Sequence, residues 1–206
     1  MADLLNEQEQ VDAIKRWWKQ YGNWLMTVII IILLGLWGYR FWQNHEQKVA
    51  MVTAAGYEQL LVDIQQNNLP DMQAQANQLM SSYPHSIYAS LAALILAQTQ
   101  VQQNQLSQAA TTLQWVMQNG RDDSTITIAK IRLGRILLAE SQPQQALDTL
   151  MGIEHHPLAD MVRGDAYVAL KQYTPAKKAY QTALGELAVS DPMYQLVQMK
   201  GANLPQ

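Results

Sequence analysis

The hydrophobic pattern of this chain changes character once. Residues 20–39 form an uncharged run whose apolar core reads WLMTVIIIILLGLWGY, closed by Lys19 on one side and Arg40 on the other. At ~1.5 Å per residue the run reaches ~30 Å, the thickness of a bilayer's hydrocarbon core, and it predicts one transmembrane helix over 20–42. Aromatic side chains gather at both ends: Trp17, Trp18, Tyr21 and Trp24 on one side, Trp37, Tyr39, Phe41 and Trp42 on the other. Rings with an apolar body and a polar edge suit two membrane–water interfaces, so these residues are the expected interface anchors.

The run does not read as a removable secretory signal. Its lead-in is long and partly acidic, with Asp3, Glu7, Glu9 and Asp12, and it runs directly into Arg40-Phe41-Trp42, not into a small-residue cleavage site. Lys15, Arg16 and Lys19 before the span outnumber Arg40 and Lys48 after it. Between Lys48 and Arg121 there is no lysine or arginine at all. Because basic residues resist translocation, 1–19 is expected to form a cytoplasmic tail and 43–206 a domain on the far side. The tail places Val11, Ile14, Trp17 and Trp18 at helical steps among its basic residues, the composition of a short interfacial helix. It is longer than topology requires, which leaves room for docking a cytoplasmic response regulator.

After residue 48 the pattern becomes that of amphipathic helices rich in Ala, Leu, Gln and Met, so the remainder is expected to be all-α. Nothing breaks helical composition from Trp42 to Asn67. Beyond it, breakers recur at Asn67-Asn68, Tyr83-Pro84, Gln103-Asn104, Asn119-Gly120, Ser141-Gln142-Pro143, His156-Pro157, Thr174-Pro175 and Asp191-Pro192. A polar residue before proline is a helix start, and Thr174-Pro175 reads as the clearest. Laying Leu133-Gly134 over Arg163-Gly164 aligns Ile136-Leu137 with Ala166-Tyr167, Ala146 with Ala176 and Leu150 with Tyr180; Ala183 extends the second copy. Small residues let antiparallel helices approach, and large ones fill the groove between pairs.

Gly164, Tyr167, Ala176, Tyr180 and Ala183, and in part Leu133, Gly134, Ala146 and Leu150, resemble the tetratricopeptide repeat. Leu96-Ala97, Ala109 and Leu113 make a weaker upstream copy, and the segment from Tyr57 to Tyr83 supplies one more helical pair. The thirty-residue offset departs from the usual period of ~34. It implies a shortened helix around Ala146, ending near Gly152.

Composition narrows the chemistry. A formal net charge of −3 gives no basic surface for nucleic acid, and the absence of cysteine excludes disulfides, thiolate metal sites and thiol redox work. His155 and His156, with Glu154 and Asp160, could be drawn as a metal or hydrolytic site, but Pro157 marks a solvated turn running into a helix, and no metal is expected. Asp122-Asp123-Ser124 reads as a helix opening. No phosphate loop or nucleophile elbow is present, so neither enzymatic activity nor a cofactor is expected. The tyrosines are divided: Tyr167 and Tyr180 are expected in interhelical packing, while Tyr88 and Trp115 are open to a peptide-binding role.

The order of segments is more specific. The tail string KRWWKQYGNW, the span, the junction YRFWQNH at 39–45, SIYASLAALILAQ at 86–98 and the closing MYQLVQMKGANLPQ resemble the YfgM family over essentially the full length. That resemblance implies a bitopic protein of the bacterial inner membrane with a periplasmic repeat domain. It implies an ancillary subunit of the SecYEG translocon, working beside the membrane-anchored periplasmic chaperone PpiD on newly translocated proteins. A repeat scaffold for another envelope assembly, in cell division, cytochrome maturation or outer-membrane assembly, is the alternative.

Overall fold

The computed structural model describes the backbone of residues 2–205, with side chains at 15, 17–19, 21, 24, 26–28, 30–37, 39, 40 and 46–205. Among these residues all regular structure is helical: α1 (Ala2–Gln65), α2 (Leu69–Ser82), α3 (Ile87–Gln102), α4 (Leu106–Asn119), α5 (Asp123–Ala139), α6 (Pro143–Thr149), α7 (Pro157–Ala169), α8 (Tyr173–Glu186) and α9 (Pro192–Ala202). The chain divides into two compact units, Met1–Met51 and Val52–Gln206.

In the first unit Ile30, Ile31, Ile32, Leu33, Leu34 and Leu36 each leave more than half of their surface uncovered, and Trp24 and Trp37 more still. Trp17 and Tyr21, one helical turn apart, bring their ring centroids to 6.0 Å. Among the described residues no helix is long and apolar enough to cross a membrane. Part of the expected span and its flanks, namely Arg16, Gln20, Gly22, Asn23, Leu25, Ile29, Gly38, Phe41 and Trp42, lies outside the described side chains.

The second unit is a row of helical hairpins, each turning on one residue at positive φ: Asn67 (56°), Asn104 (60°), Ser141 (60°) and Lys171 (59°). The backbone bonds repeat as well. Ser141 and Lys171 donate to Leu138 and Val168, and the next amides, Gln142 and Gln172, reach back to Leu137 and Tyr167. Asn67-Asn68 and Asn104-Gln105 make the same pair of bonds. This left-handed stop satisfies the last carbonyls of a helix and reverses the chain within two residues. Asparagine tolerates the conformation, whereas lysine at 171 holds it at a cost of about 1 kcal/mol.

Those turn residues are spaced by 37, 37 and 30 positions. The second helices explain the difference: α2, α4 and α8 have 14 residues each, α6 only 7. The thirty-residue offset therefore belongs to one hairpin that is two turns short, while the preceding repeats run at 37. Helix α6 ends at Thr149, ahead of the stop expected near Gly152. The missing turns are replaced by a loop over 150–156, in which Gly152 and His155 take positive φ. Arg163, from α7, donates to the carbonyl oxygens of Leu150, at 2.8 Å, and Ile153, and it pairs with Asp160. One guanidinium thus caps the end of the truncated helix.

Three helix starts, those of α3, α5 and α9, are capped by a side chain. Asp122 accepts from the Thr125 amide at 2.8 Å, Asp191 from Met193 at 2.8 Å and Ser86 from Tyr88 at 3.2 Å. Helix α8 differs: it opens at Tyr173 behind Gln172, so Thr174 and Pro175 lie inside its first turn. Leu170, Lys171 and Gln172 alone separate the two helices, with the left-handed stop at Lys171.

Packing runs along the row without a central core. Leu60, Met72, Ala76 and Leu79 meet Ala89, Ala92 and Leu96 of α3. Ala93, Leu94 and Ala97 join Ala109, Leu113 and Val116 of α4 and Ala129, Leu133 and Ile136 of α5. Ile131 packs with Leu150, Ile153, Ala159 and Val162, and Met161 with Tyr180, Ala183 and Val197 of α9. Each cluster bridges neighbouring hairpins only, which is how a solenoid is stabilised.

Candidate functional site

The residues singled out for repeat packing fall into two groups. Leu133, Ala146, Leu150, Ala176, Tyr180 and Ala183 are buried, as are Gly134 and Gly164. A Cβ on Gly164 would lie 2.3 Å from the Tyr180 ring, so the absence of a side chain there is what admits the tyrosine. The Tyr180 hydroxyl donates to Asp165 Oδ1 at 2.7 Å, and Lys200 Nζ of α9 reaches the same oxygen at 2.7 Å, tying α7, α8 and α9 together. Burial, then the hydrogen bond and charge of Asp165, push the Tyr180 hydroxyl far above its usual range. Tyr167 stands apart from this packing: it is half-buried and lines a cleft of about 380 Å³ with Gln144, Met151 and Arg163.

The two uncommitted aromatics are placed by their neighbours. Tyr88 stacks at a tilt on Tyr57, centroids 5.7 Å apart, and Trp115 packs against both the α1–α3 and the α3–α5 clusters. His155 is almost fully exposed, its Nδ1 3.4 Å from Glu186 Oε1, while His156 occupies the N-cap position of α7 without a side-chain capping bond and Asp160 is taken up by Arg163. Among the described residues no three His, Asp or Glu side chains converge as metal ligands would. Of the expected anchors and topology charges, Trp17, Trp18, Tyr21, Trp24, Trp37, Tyr39, Lys15 and Lys19 are exposed. Arg16, Phe41 and Trp42 are outside the described side chains.

The feature best suited to holding a ligand has no plain signature in the sequence. Ala97, Gln98 and Val101 of α3, Leu106 and Leu113 of α4, and Arg132, Arg135, Ile136 and Ala139 of α5 enclose a cleft of about 390 Å³. Its walls are mostly apolar and its two charged groups have the same sign. Arg132 donates to the Leu94 carbonyl at 2.9 Å; burial, and secondarily the charge of Arg135, pull its guanidinium below the usual value. The signal that could have revealed it is register. Counting back from the turn residues, Arg132 falls where the neighbouring hairpins carry Ile95 and Val162, so repeat packing does not call for a cation there. That register rests on the four left-handed turns, which composition alone does not reveal.

Comparison with known proteins agrees with this architecture. A family model described as a tetratricopeptide repeat-like domain matches residues 15–206. A protein of Neisseria gonorrhoeae named Ancillary SecYEG translocon subunit is 34% identical, over 97% of this chain and 98% of its own length. Proteins of the same name from Escherichia coli and Haemophilus influenzae are 28% and 26% identical, over 97% and 99% of this chain and 97% and 100% of theirs. Full-length correspondence, together with a family model covering residues 15–206, shows that this chain belongs to the YfgM family of tetratricopeptide repeat-like proteins.

Proposed function

We propose that the protein is a non-enzymatic ancillary subunit of the SecYEG translocon. The observation that carries this is the 34% identity over nearly the whole of both chains to a protein of that name. A row of helical hairpins bearing open clefts suits such work, because it offers binding surface without assembling nucleophile, base and oxyanion donors in one place. On this reading residues 20–42 cross the inner membrane with the N-terminus in the cytoplasm, and 43–206 lie in the periplasm. The uncovered Ile30–Leu34 stretch supports that placement, since a continuous apolar surface of this size in water would drive association. The repeat domain links the translocon to a PpiD-like membrane-anchored chaperone and assists newly translocated chains. The tail 1–19 contacts a cytoplasmic response regulator.

Affinity capture of the full chain in mild detergent should recover SecYEG subunits together with the chaperone. Recovery of a different envelope assembly, with no translocon subunit, would discard the translocon role in favour of a general envelope scaffold. Topology is testable separately because the chain has no cysteine. Gln144→Cys should react with a membrane-impermeant maleimide in spheroplasts while Gln8→Cys is protected; the reverse pattern would invert the proposed orientation.

A further inference from the structure

The α3–α4–α5 cleft is lined as a receptor for an anionic group attached to an apolar one. Two guanidiniums one helical turn apart, Arg132 and Arg135, stand at a cleft whose other walls include Val101, Leu106, Ile136 and Ala139. Among the described residues neither arginine has a carboxylate within ion-pair distance, although the protein as a whole is acidic. Holding two like charges together while partly desolvating one is unfavourable, and the effect is visible at Arg132. The fold does not need this arrangement, because the equivalent positions are Ile95 and Gln98 in the preceding hairpin and Val162 and Asp165 in the next. Asp165 is consumed internally by Tyr180 and Lys200. Arg135, by contrast, is exposed and forms no ion pair among the described residues.

We propose that this cleft binds an extended polypeptide segment in which a carboxylate side chain lies two positions from an aliphatic one, so that both face the same side. The two arginines take the carboxylate, and the wall formed by Val101, Leu106 and Ile136 takes the aliphatic group. Guanidinium groups favour carboxylates because the planar fork matches both oxygens. The length fits as well. From Arg132 to Ala139 the helix advances about 10 Å, the reach of about three residues of extended chain. The proposal does not depend on the translocon assignment: it names the chemistry of a bound segment, whichever assembly supplies it.

The test uses the full chain in mild detergent and a fluorescein-labelled octapeptide of two Leu-Ser-Glu-Ser repeats, which sets leucine and glutamate on one face of an extended chain, its binding read by fluorescence anisotropy. Saturable binding to the natural protein is expected, weakened at least tenfold when glutamine replaces glutamate in the peptide. Arg135→Gln, at an exposed position that leaves packing intact, should lose about tenfold in affinity, the weight of one charge-assisted hydrogen bond. Val101→Glu should lose binding through the apolar wall. Arg121→Gln removes an exposed arginine outside the cleft and should bind as the natural protein does. The proposal is overturned if the glutamate and glutamine peptides bind alike, if Arg135→Gln and Arg121→Gln lose affinity equally, or if no binding is seen. It is equally overturned if Arg135→Gln leaves peptide binding unchanged but abolishes binding to vesicles containing phosphatidylglycerol, since the arginines would then serve a lipid surface.

Discussion

Gly134 and Gly164 occupy the same position in successive repeats, yet adding one methyl group to each should have opposite effects. A Cβ at Gly164 would meet three ring atoms of Tyr180 at 2.3, 2.6 and 2.8 Å. Carbon atoms settle at about 3.5 Å or more, so the ring must retreat by roughly 1 Å. It has little room to do so. Tyr180 is 3% exposed, its hydroxyl is fixed on Asp165, and its Cβ lies against Gly201. Overpacking of this kind costs about 1–3 kcal/mol, and the severity of the contact points to the upper end. Alanine returns about 1 kcal/mol through helix propensity, leaving Gly164→Ala destabilised by about 2 kcal/mol. At Gly134 the nearest atoms are Val162 Cγ1 at 3.4 Å and the Leu150 side chain at 3.5 and 3.6 Å, ordinary contact distances. Gly134→Ala should therefore gain from propensity alone, about 0.5–1 kcal/mol. The check is the urea midpoint of the two variants and the natural chain in the same detergent, read by far-ultraviolet circular dichroism. Tyr180→Leu in the Gly164→Ala background should recover part of the loss. Equal destabilisation of both variants, or a Gly164→Ala protein as stable as the natural one, would refute the reasoning.

Three further outcomes are expected. Arg163→Gln should cost about 3 kcal/mol by leaving buried Asp160 and the Leu150 and Ile153 carbonyls underpartnered, and it should speed limited proteolysis at Met151; Arg163→Lys should recover only part, since one ammonium cannot span three acceptors. Because the Tyr180 hydroxyl is held protonated in the folded state, its contribution should be fully present below pH ~10 and decline as pH rises further; Tyr180→Phe should lose that alkaline slope in urea melts at stepped pH. Lys171→Gly should raise stability by about 1 kcal/mol by relieving a left-handed lysine, and no gain would mean that its side chain compensates through contacts of its own.

Much of the fold is legible from residue types because its signals are local. Asp122 and Asp191 cap helices through side chains only two or three residues from the amides they satisfy. Asn67, Asn104 and Ser141 mark turns by their own backbone preferences. Lys171 gives no such mark, because lysine carries no turn preference, and the proline four residues later draws the apparent boundary to Thr174. Nor is the 37-residue repeat legible. The only well-matched pair of copies is the one shortened by two helical turns, so it advertises an exceptional spacing. Among candidate site residues, Tyr180 is assignable to packing because a large residue opposite a glycine has one place to go. Tyr167 sits beside the truncated α6, where helix is missing to cover it, and is left lining a cleft.

Period and composition alone specify an all-helical repeat protein behind an apolar N-terminal run, and the order of segments points to one family. Those signals act within a turn or two of helix, so they need no knowledge of which helices meet. Three other features arise only when the hairpins stack: Gly134 is spacious where Gly164 is not, Arg163 closes a helix broken short, and Arg132 and Arg135 face a cleft across from α3 and α4. Each depends on which side chain a neighbouring hairpin brings to within a few ångströms. Helix propensity and hydrophobic period do not encode that distance; the packing of one repeat on the next does.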